Sequence, residues 1–335
     1  MVQTHLNLSD RKQQSSFKIS TQRMLVLFQK TWRDLFSLKK LIILLVAISA
    51  VPLLVLAAMA SQINPDISPY SASMKILFMM LPMIYFLSFG MIYSIFVGGQ
   101  SAGLICEEIE KGTMLILISK PIGRIQIFLG KFLAVFCFGA LVSFLSTFVI
   151  GWFGVLIATA NLEHFILMVP RLWFLFFYSL YINLIFCSIS MALSSIMKSG
   201  KKVGGIIIAI VLITFFGFFM IKLLAGVIYK QYYLYLIDIG YHLGNIFVFF
   251  NDIFGAIPAT SAWQIDFNLY TGVFEAPSFF GGSQGGFDSA QQIDLGGYPL
   301  KNYVTPLGSF LIWTGFSLLL LLFGLIKLKT REISN

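Results

Sequence analysis

The 335-residue chain is 58% hydrophobic and only 11% charged, with a mean hydropathy of +0.88. Soluble domains run near a quarter charged, so this composition excludes a water-soluble globular protein and marks an integral membrane protein. The net charge of +9 falls in a sided pattern along the chain, which makes it a topology signal; nucleic-acid binding is a poor reading of it.

In chain order, residues 1–16 are polar and read as a disordered cytoplasmic tail. Across residues 17–40, Met24, Leu27, Phe28, Trp32, Leu35 and Phe36 recur at helical spacing, with Arg23, Lys30, Arg33 and Asp34 between them. That pattern predicts an amphipathic helix with a basic polar face, lying in the membrane interface ahead of the first span. The first forty residues have no early apolar core and so read as lacking a cleavable signal peptide.

About twenty apolar residues cross a bilayer, and residues 41–228 supply five such runs, at 41–60, 76–97, 132–158, 172–197 and 203–228. A sixth follows at 306–326, within a closing unit of span and cytoplasmic tail, 306–335. Basic residues are retained in the cytoplasm. Eighteen of the twenty-three lie in the amino-terminal segment, the loop after span two (98–131), the turn after span four and the carboxyl tail. Both termini are therefore expected in the cytoplasm. The fold class is an all-α membrane protein with six transmembrane helices.

All fourteen acidic residues fall outside the six runs, and of the basic ones only Lys222 lies well inside, close enough to an end to snorkel. Carriers driven by protons or ions place ionisable residues at membrane depth. None is here to carry the ion, so energy for active transport must enter from outside the spans. Pro52 and Pro82 are candidate kinks.

Residues 229–305 form a long external segment. Its first part is aromatic and partly apolar but carries Asp238, His242, Asn245 and Asp252. It predicts one or two short helices lying on the outer membrane face, with tyrosines and Trp263 at headgroup depth. The second part is rich in Gly, Ser and Gln and reads as loop. The acids of the whole segment, Asp238, Asp252, Asp266, Glu275, Asp288 and Asp294, lack the spacing of a calcium loop and read as a solvated surface.

No catalytic constellation stands out. His5, His164 and His242 are far apart, and His164 falls in a short polar turn that reads as solvated. Cys106, Cys137 and Cys187 lie in or beside spans and lack metal-ligand spacing, so neither a disulfide framework nor a metal site is implied. No G-x-x-x-x-G-K-[ST] loop occurs, so the chain cannot bind ATP in that manner.

The best-organised stretch is residues 105–134. It opens on Glu107, Glu108 and Glu110, followed by Lys111 and Gly112, the latter suited to a helix stop. Thr113 can then cap a short helix over 114–118 containing Met114 and Leu117, ended by Ser119-Lys120-Pro121. A further helix carries Arg124 and Lys131 into the third span. A mere connection between spans has no need of an acidic entrance and a separate short helix, and this one reads as a surface for another protein.

The order E-E-I-E-K-G-T-M-L-I-L-I-S-K-P-I-G-R-I-Q-I-F-L-G-K resembles the signature of ABC type-2 permeases, the membrane subunits of ATP-driven exporters. In that family it also falls between the second and third of six spans. The amphipathic amino-terminal helix is similar to the family's connecting helix, and an external excursion between spans five and six is familiar there.

The resemblance implies a dimer with an identical or different permease subunit and two ATP-binding subunits, in a plasma (bacterial inner) membrane. Glu107, Glu108, Glu110, Lys111, Gly112, Thr113, Met114, Leu117, Pro121 and Arg124 would contact the ATPase subunit, the short helix acting as a coupling helix. Lys198, Lys201 and Lys202 would form a second, smaller contact. This chain would be no enzyme and would bind no cofactor, with ATP and Mg held by the partner. An alternative of a different class is an ATP-linked membrane anchor or mechanical actuator that moves no solute.

Overall fold

The computed structural model describes residues 22–63, 68–114, 117, 122–255, 257, 261–275 and 298–331. It contains six helices long and apolar enough to cross a membrane: Leu38–Gln62, Pro69–Glu110, Arg124–Ala158, Leu162–Ile196, Gly200–Leu224 and Pro306–Thr330. Among the described residues there is no strand, and Phe274 and Leu300 form an isolated antiparallel bridge. The predicted tail 1–16, Pro121 and most of 276–305 lie outside the described residues.

Several helices run past the apolar stretches that announced them. The third and fourth spans each have 35 residues, about 52 Å of helix against a hydrocarbon core of about 30 Å. Hydropathy marks only the part inside lipid, and the polar ends continue the same hydrogen-bond ladder. The fifth span is shorter than expected. It stops at Ala225, whose backbone leaves the helical region, and a separate helix follows at Gly226–Gln231. The second and fourth spans form the centre of the bundle, each 67% buried over its apolar window, against 17% for the sixth.

The second span is not a plain α-helix. A ten-residue π-helical stretch, Ile84–Tyr93, begins two residues after Pro82, which lacks an N–H and crowds the carbonyl four residues back. The fifth span carries its own π-stretch, Ile213–Gly217. The two meet where Gly90 faces Phe215, so closely that a Cβ on Gly90 would lie 2.5 Å from the ring.

One end of the bundle gathers both ends of the described chain. The amphipathic helix occupies residues 22–35 and buries Leu27, Thr31 and Leu35. It packs on the third span, with Trp32 edge-on to Phe138 at 5.9 Å. Gly130 permits the approach, since a Cβ there would lie 3.2 Å from the Met24 carbonyl oxygen. Leu25 and Val26 face outward, 54% and 62% exposed, so the helix has a bundle-facing stripe and a second apolar side left over.

The segment between spans five and six departs from expectation. The helix Ile239–Phe254 does not lie on a surface: no residue from Gly240 to Val248 is exposed. Its buried polar side chains, His242, Asn245 and Asn251, each have hydrogen-bond partners, as burial requires. Phe247 meets Phe174 and Tyr178 of the fourth span at 4.9 and 5.2 Å. Tyr85 of the second span donates to the Gly240 carbonyl at 2.8 Å, and Asn245 donates to Ser309 of the sixth at 3.2 Å. The expected position of Trp263 falls outside the described side chains.

Three polar residues read as solvated, or as snorkelling, are instead fixed. Asp238 is fully buried and pairs with Lys222 at 3.0 Å. Lys222 also donates to the carbonyls of Tyr270 and Thr271, at 2.9 and 3.2 Å, so it is tied to the folded segment and does not reach for water. His164 is 8% exposed and bonded to Thr159 at 2.7 Å. Asp252 and Glu275 do remain exposed.

His242 is 2% exposed, with Ser309 on Nδ1 at 3.0 Å and the Leu236 carbonyl on Nε2 at 3.1 Å. A carbonyl must receive an N–H, so the neutral ring donates from Nε2 and accepts at Nδ1. Burial lowers its pKa from the ordinary imidazole value, against smaller opposing effects of the Leu236 carbonyl and Asp238. The unfolded chain therefore binds the extra proton first as pH falls. Stability is full above the ordinary value, about 6.5, and drains away below it. Thermal unfolding in detergent between about pH 7.5 and 5 should show this loss, and His242→Gln should flatten it. Equal slopes in both proteins would contradict the assignment.

Candidate partner-docking surface

The second span breaks at Gly103–Ile105 and resumes as a short helix, Cys106–Glu110. Glu107 and Glu108 sit in its first turn, where the helix dipole favours them, and Glu110 is its last residue. The freed backbone groups at the break are met from two other spans. Ser194 of the fourth accepts from the N–H groups of Ile105 and Cys106, at 3.3 and 3.2 Å. Lys131 of the third donates to the Leu104 carbonyl and forms an ion pair with Glu108.

The three glutamates are thus not equivalent. Glu108 is 23% exposed and turned to Lys131, which is 3% exposed. Glu107, 47% exposed, pairs with Lys111 one turn on at 3.0 Å. The hydrogen bond to Glu107 raises the Lys111 pKa, keeping that surface amine protonated. Glu110 is exposed. Glu108 differs from the other two in pairing with a residue of another span.

Gly112 ends the acidic helix with φ +70°, as its residue type suggested. Thr113, Met114 and Leu117 are helical, consistent with a short helix here. The Thr113 hydroxyl donates backward to the Glu108 carbonyl at 3.2 Å, and the N–H groups it would cap, at 115 and 116, lie outside the described residues. Met114 is fully buried and Leu117 partly so, so of this trio only Thr113 is exposed.

Arg124 is engaged within the chain as well. Its Nη1 donates to the carbonyls of Leu328, Lys329 and Arg331, at 3.1, 2.8 and 2.9 Å. Arg331 in turn donates to Ser195 and Met197 at the end of the fourth span, at 2.9 and 3.1 Å. Each guanidinium meets carbonyls left open at a helix carboxyl terminus, where a cation is favoured. The pair closes the third, sixth and fourth spans into one base.

The two contacts expected separately are brought side by side. Gly200, which opens the fifth span beside Lys198, Lys201 and Lys202, sits against the break in the second: a Cβ on it would lie 3.0 Å from the Gly103 Cα and 2.8 Å from Glu107. Lys198, Lys201 and Lys202 are exposed, as are Glu110, Lys111 and Thr113. The result is one surface of mixed charge on a rigid base. On its flank, against the 22–35 helix, is a pocket of about 410 Å³ lined by Lys30, Asp34, Gln100, Glu107, Lys111 and Lys131 among others.

Ser194 and Lys131 are the residues that sequence reasoning passed over as parts of this site. Ser194 carried no signal beyond being a small hydroxyl residue in a span. Lys131 did carry one, since it stands alone among the apolar residues that open the third span. Among the described residues no three His, Cys, Asp or Glu side chains are gathered to hold a metal. The cysteines are free, with Cys106 and Cys187 buried and Cys137 exposed.

A search of curated proteins finds no match to the chain. A family model does match, over residues 25–331, and its description is ABC-2 family transporter protein.

Proposed function

The chain belongs to the ABC-2 transporter family, and we propose that it is a permease subunit converting ATP hydrolysis by a separate ATP-binding subunit into export. The observation that carries this reading is the convergence of the acidic helix and the Lys198–Lys202 turn on one surface. Glu107, Glu110, Lys111, Thr113, Lys198, Lys201 and Lys202 are the contact residues. Carboxylates and amines suit the task because they pair with opposite charges on a partner and can re-pair as it moves. Two ATPase subunits and a second permease, identical or different, complete the assembly. The partner subunits hold ATP and Mg. The contact surface faces the cytoplasm of a cell with a bacterial-type inner membrane, which places the 229–305 segment outside.

The mechanism follows from the mounting of that surface. The acidic helix is bound to spans three and four through Lys131 and Ser194, and the Lys turn is the start of span five. Closure of the ATPase subunits pushes on a surface that belongs to four spans at once, and the bundle answers as a unit.

Affinity purification of the full chain in mild detergent tests the reading, with an ATP-binding subunit expected to come down with it. Glu107→Lys combined with Glu110→Lys, leaving Glu108 intact, should weaken that association about tenfold or more at unchanged melting temperature. Retrieval of no ATPase by the unaltered chain would end the proposal. Undiminished association of the double variant would remove these two residues from the contact.

A further inference from the structure

We infer that Lys131 is the positioning residue through which motion of the acidic helix reaches the third span. The inference rests on the ATP-coupled reading above. Burying a charge costs several kcal/mol, yet Lys131, at 3% exposure, lies beneath the proposed docking surface and is too buried to be presented to a partner. Its amine is divided between two groups of another span, the Leu104 carbonyl and the Glu108 carboxylate. Those groups lie on either side of the point where the second span turns into the acidic helix. Leu104 belongs to the break itself, and Glu108 to the helix beyond it.

A helix attached to its own span by a three-residue turn can swing without moving that span. Lys131 removes this freedom on one side, and Ser194 holds the two N–H groups on the other. The Ser194 contacts are ordinary hydrogen bonds to backbone. The Lys131 contact includes a charged pair in a poorly hydrated place, where the partners cannot exchange for water at low cost. Pushing on Glu107 or Glu110 therefore pulls the base of the third span with the acidic helix. The adjoining pocket beside Lys30 and Asp34 gives the assembly room to move.

The test uses the complex of the full chain with its ATPase subunit. Cys137 is replaced by Ala, and spin labels are placed at Ile157→Cys, at the far end of the third span, and Ile326→Cys on the sixth. Both positions are exposed, at 40% and 48%. ATP should change the distance between them in the unaltered background. Lys131→Met should keep the ATPase subunit bound but lose the ATP-driven change, and Lys131→Arg should restore it.

Because Lys131→Met leaves Glu108 unpaired and can lower folding yield, Glu108→Gln with Lys131→Met is the second variant. It buries no lone charge, and it too should bind the ATPase without moving the third span. An unchanged ATP response in either Met-bearing variant overturns the inference. So does an ATP-insensitive distance in the unaltered complex. Absence of ATPase binding by the unaltered chain is a different result, and defeats the functional reading itself.

Discussion

Lys222→Met should cost about 3–5 kcal/mol of stability, the range for breaking a buried ion pair from one side. Asp238 has no exposed surface, and its Oδ2 is held by Lys222 at 3.0 Å and by the Tyr229 hydroxyl at 2.8 Å. Among the described residues Oδ1 has no hydrogen-bond partner, so the carboxylate depends on the two groups at Oδ2. Without the amine, the Tyr270 and Thr271 carbonyls also lose their donor. The damage therefore spreads from the end of the fifth span to the whole Ile239–Thr271 region.

Neutralising both partners should behave differently. Lys222→Met with Asp238→Asn removes the charge that makes the orphan costly, while the Asn carbonyl still accepts from Tyr229. Most of the lost stability should return, as in other replacements of buried pairs by neutral groups. Asp238→Asn alone should be intermediate, because Lys222 keeps its two carbonyls. Thermal or denaturant unfolding of the purified chain in detergent reads all three. A single Met variant within about 1 kcal/mol of the unaltered protein would reduce the pair to a surface contact. A double variant no better than the single one would show that packing, and not charge, was lost.

That pair also shows what the sequence could and could not disclose. Six spans were legible because lipid demands long apolar runs, and the 105–134 stretch was legible because its acids, glycine and proline interrupt them. Asp238 was misread because a lone acid outside an apolar run has the same sequence signature whether it is solvated or paired. Its partner lies sixteen residues away, across a helix break that hydropathy does not register. The same blindness applies to Ile239–Phe254. Its Asn245 and His242 looked like residues facing water, and in the fold they are bonded to Ser309 and backbone carbonyls.

The docking surface shows the converse case. Glu110 and the three lysines are exposed, and Glu107 pairs with Lys111 one turn on. Glu108 and Arg124 carry the same charges but are claimed by Lys131 and by the carbonyls at the end of the sixth span. Which of several like charges remains free depends on contacts hundreds of residues away in some cases, and spacing alone does not encode them.

Gly324→Leu should destabilise the protein by about 3 kcal/mol, the upper end of what overpacking usually costs. A Cβ at that position would lie 3.0 Å from the Ala192 Cα and 3.2 Å from the Phe128 ring. A backbone atom cannot turn aside as a side chain can, so the sixth helix must move away from the fourth. Its carboxyl end supplies the carbonyls that Arg124 grips and the Arg331 that closes the fourth span. Displacing the helix therefore loosens the base that carries the proposed docking surface.

Gly315→Leu is the matching control on the same helix, where a Cβ meets nothing within 4 Å. Leu is a better helix former than Gly by roughly 0.8 kcal/mol, so this variant should melt at or above the unaltered protein. Opposite signs at two glycines nine residues apart are expected from unfolding of the purified chain in detergent. Equal effects at both positions would mean that the close approach of the sixth span to Ala192 does not stabilise the fold. If so, the two arginine clamps at its end would have to hold that helix by themselves.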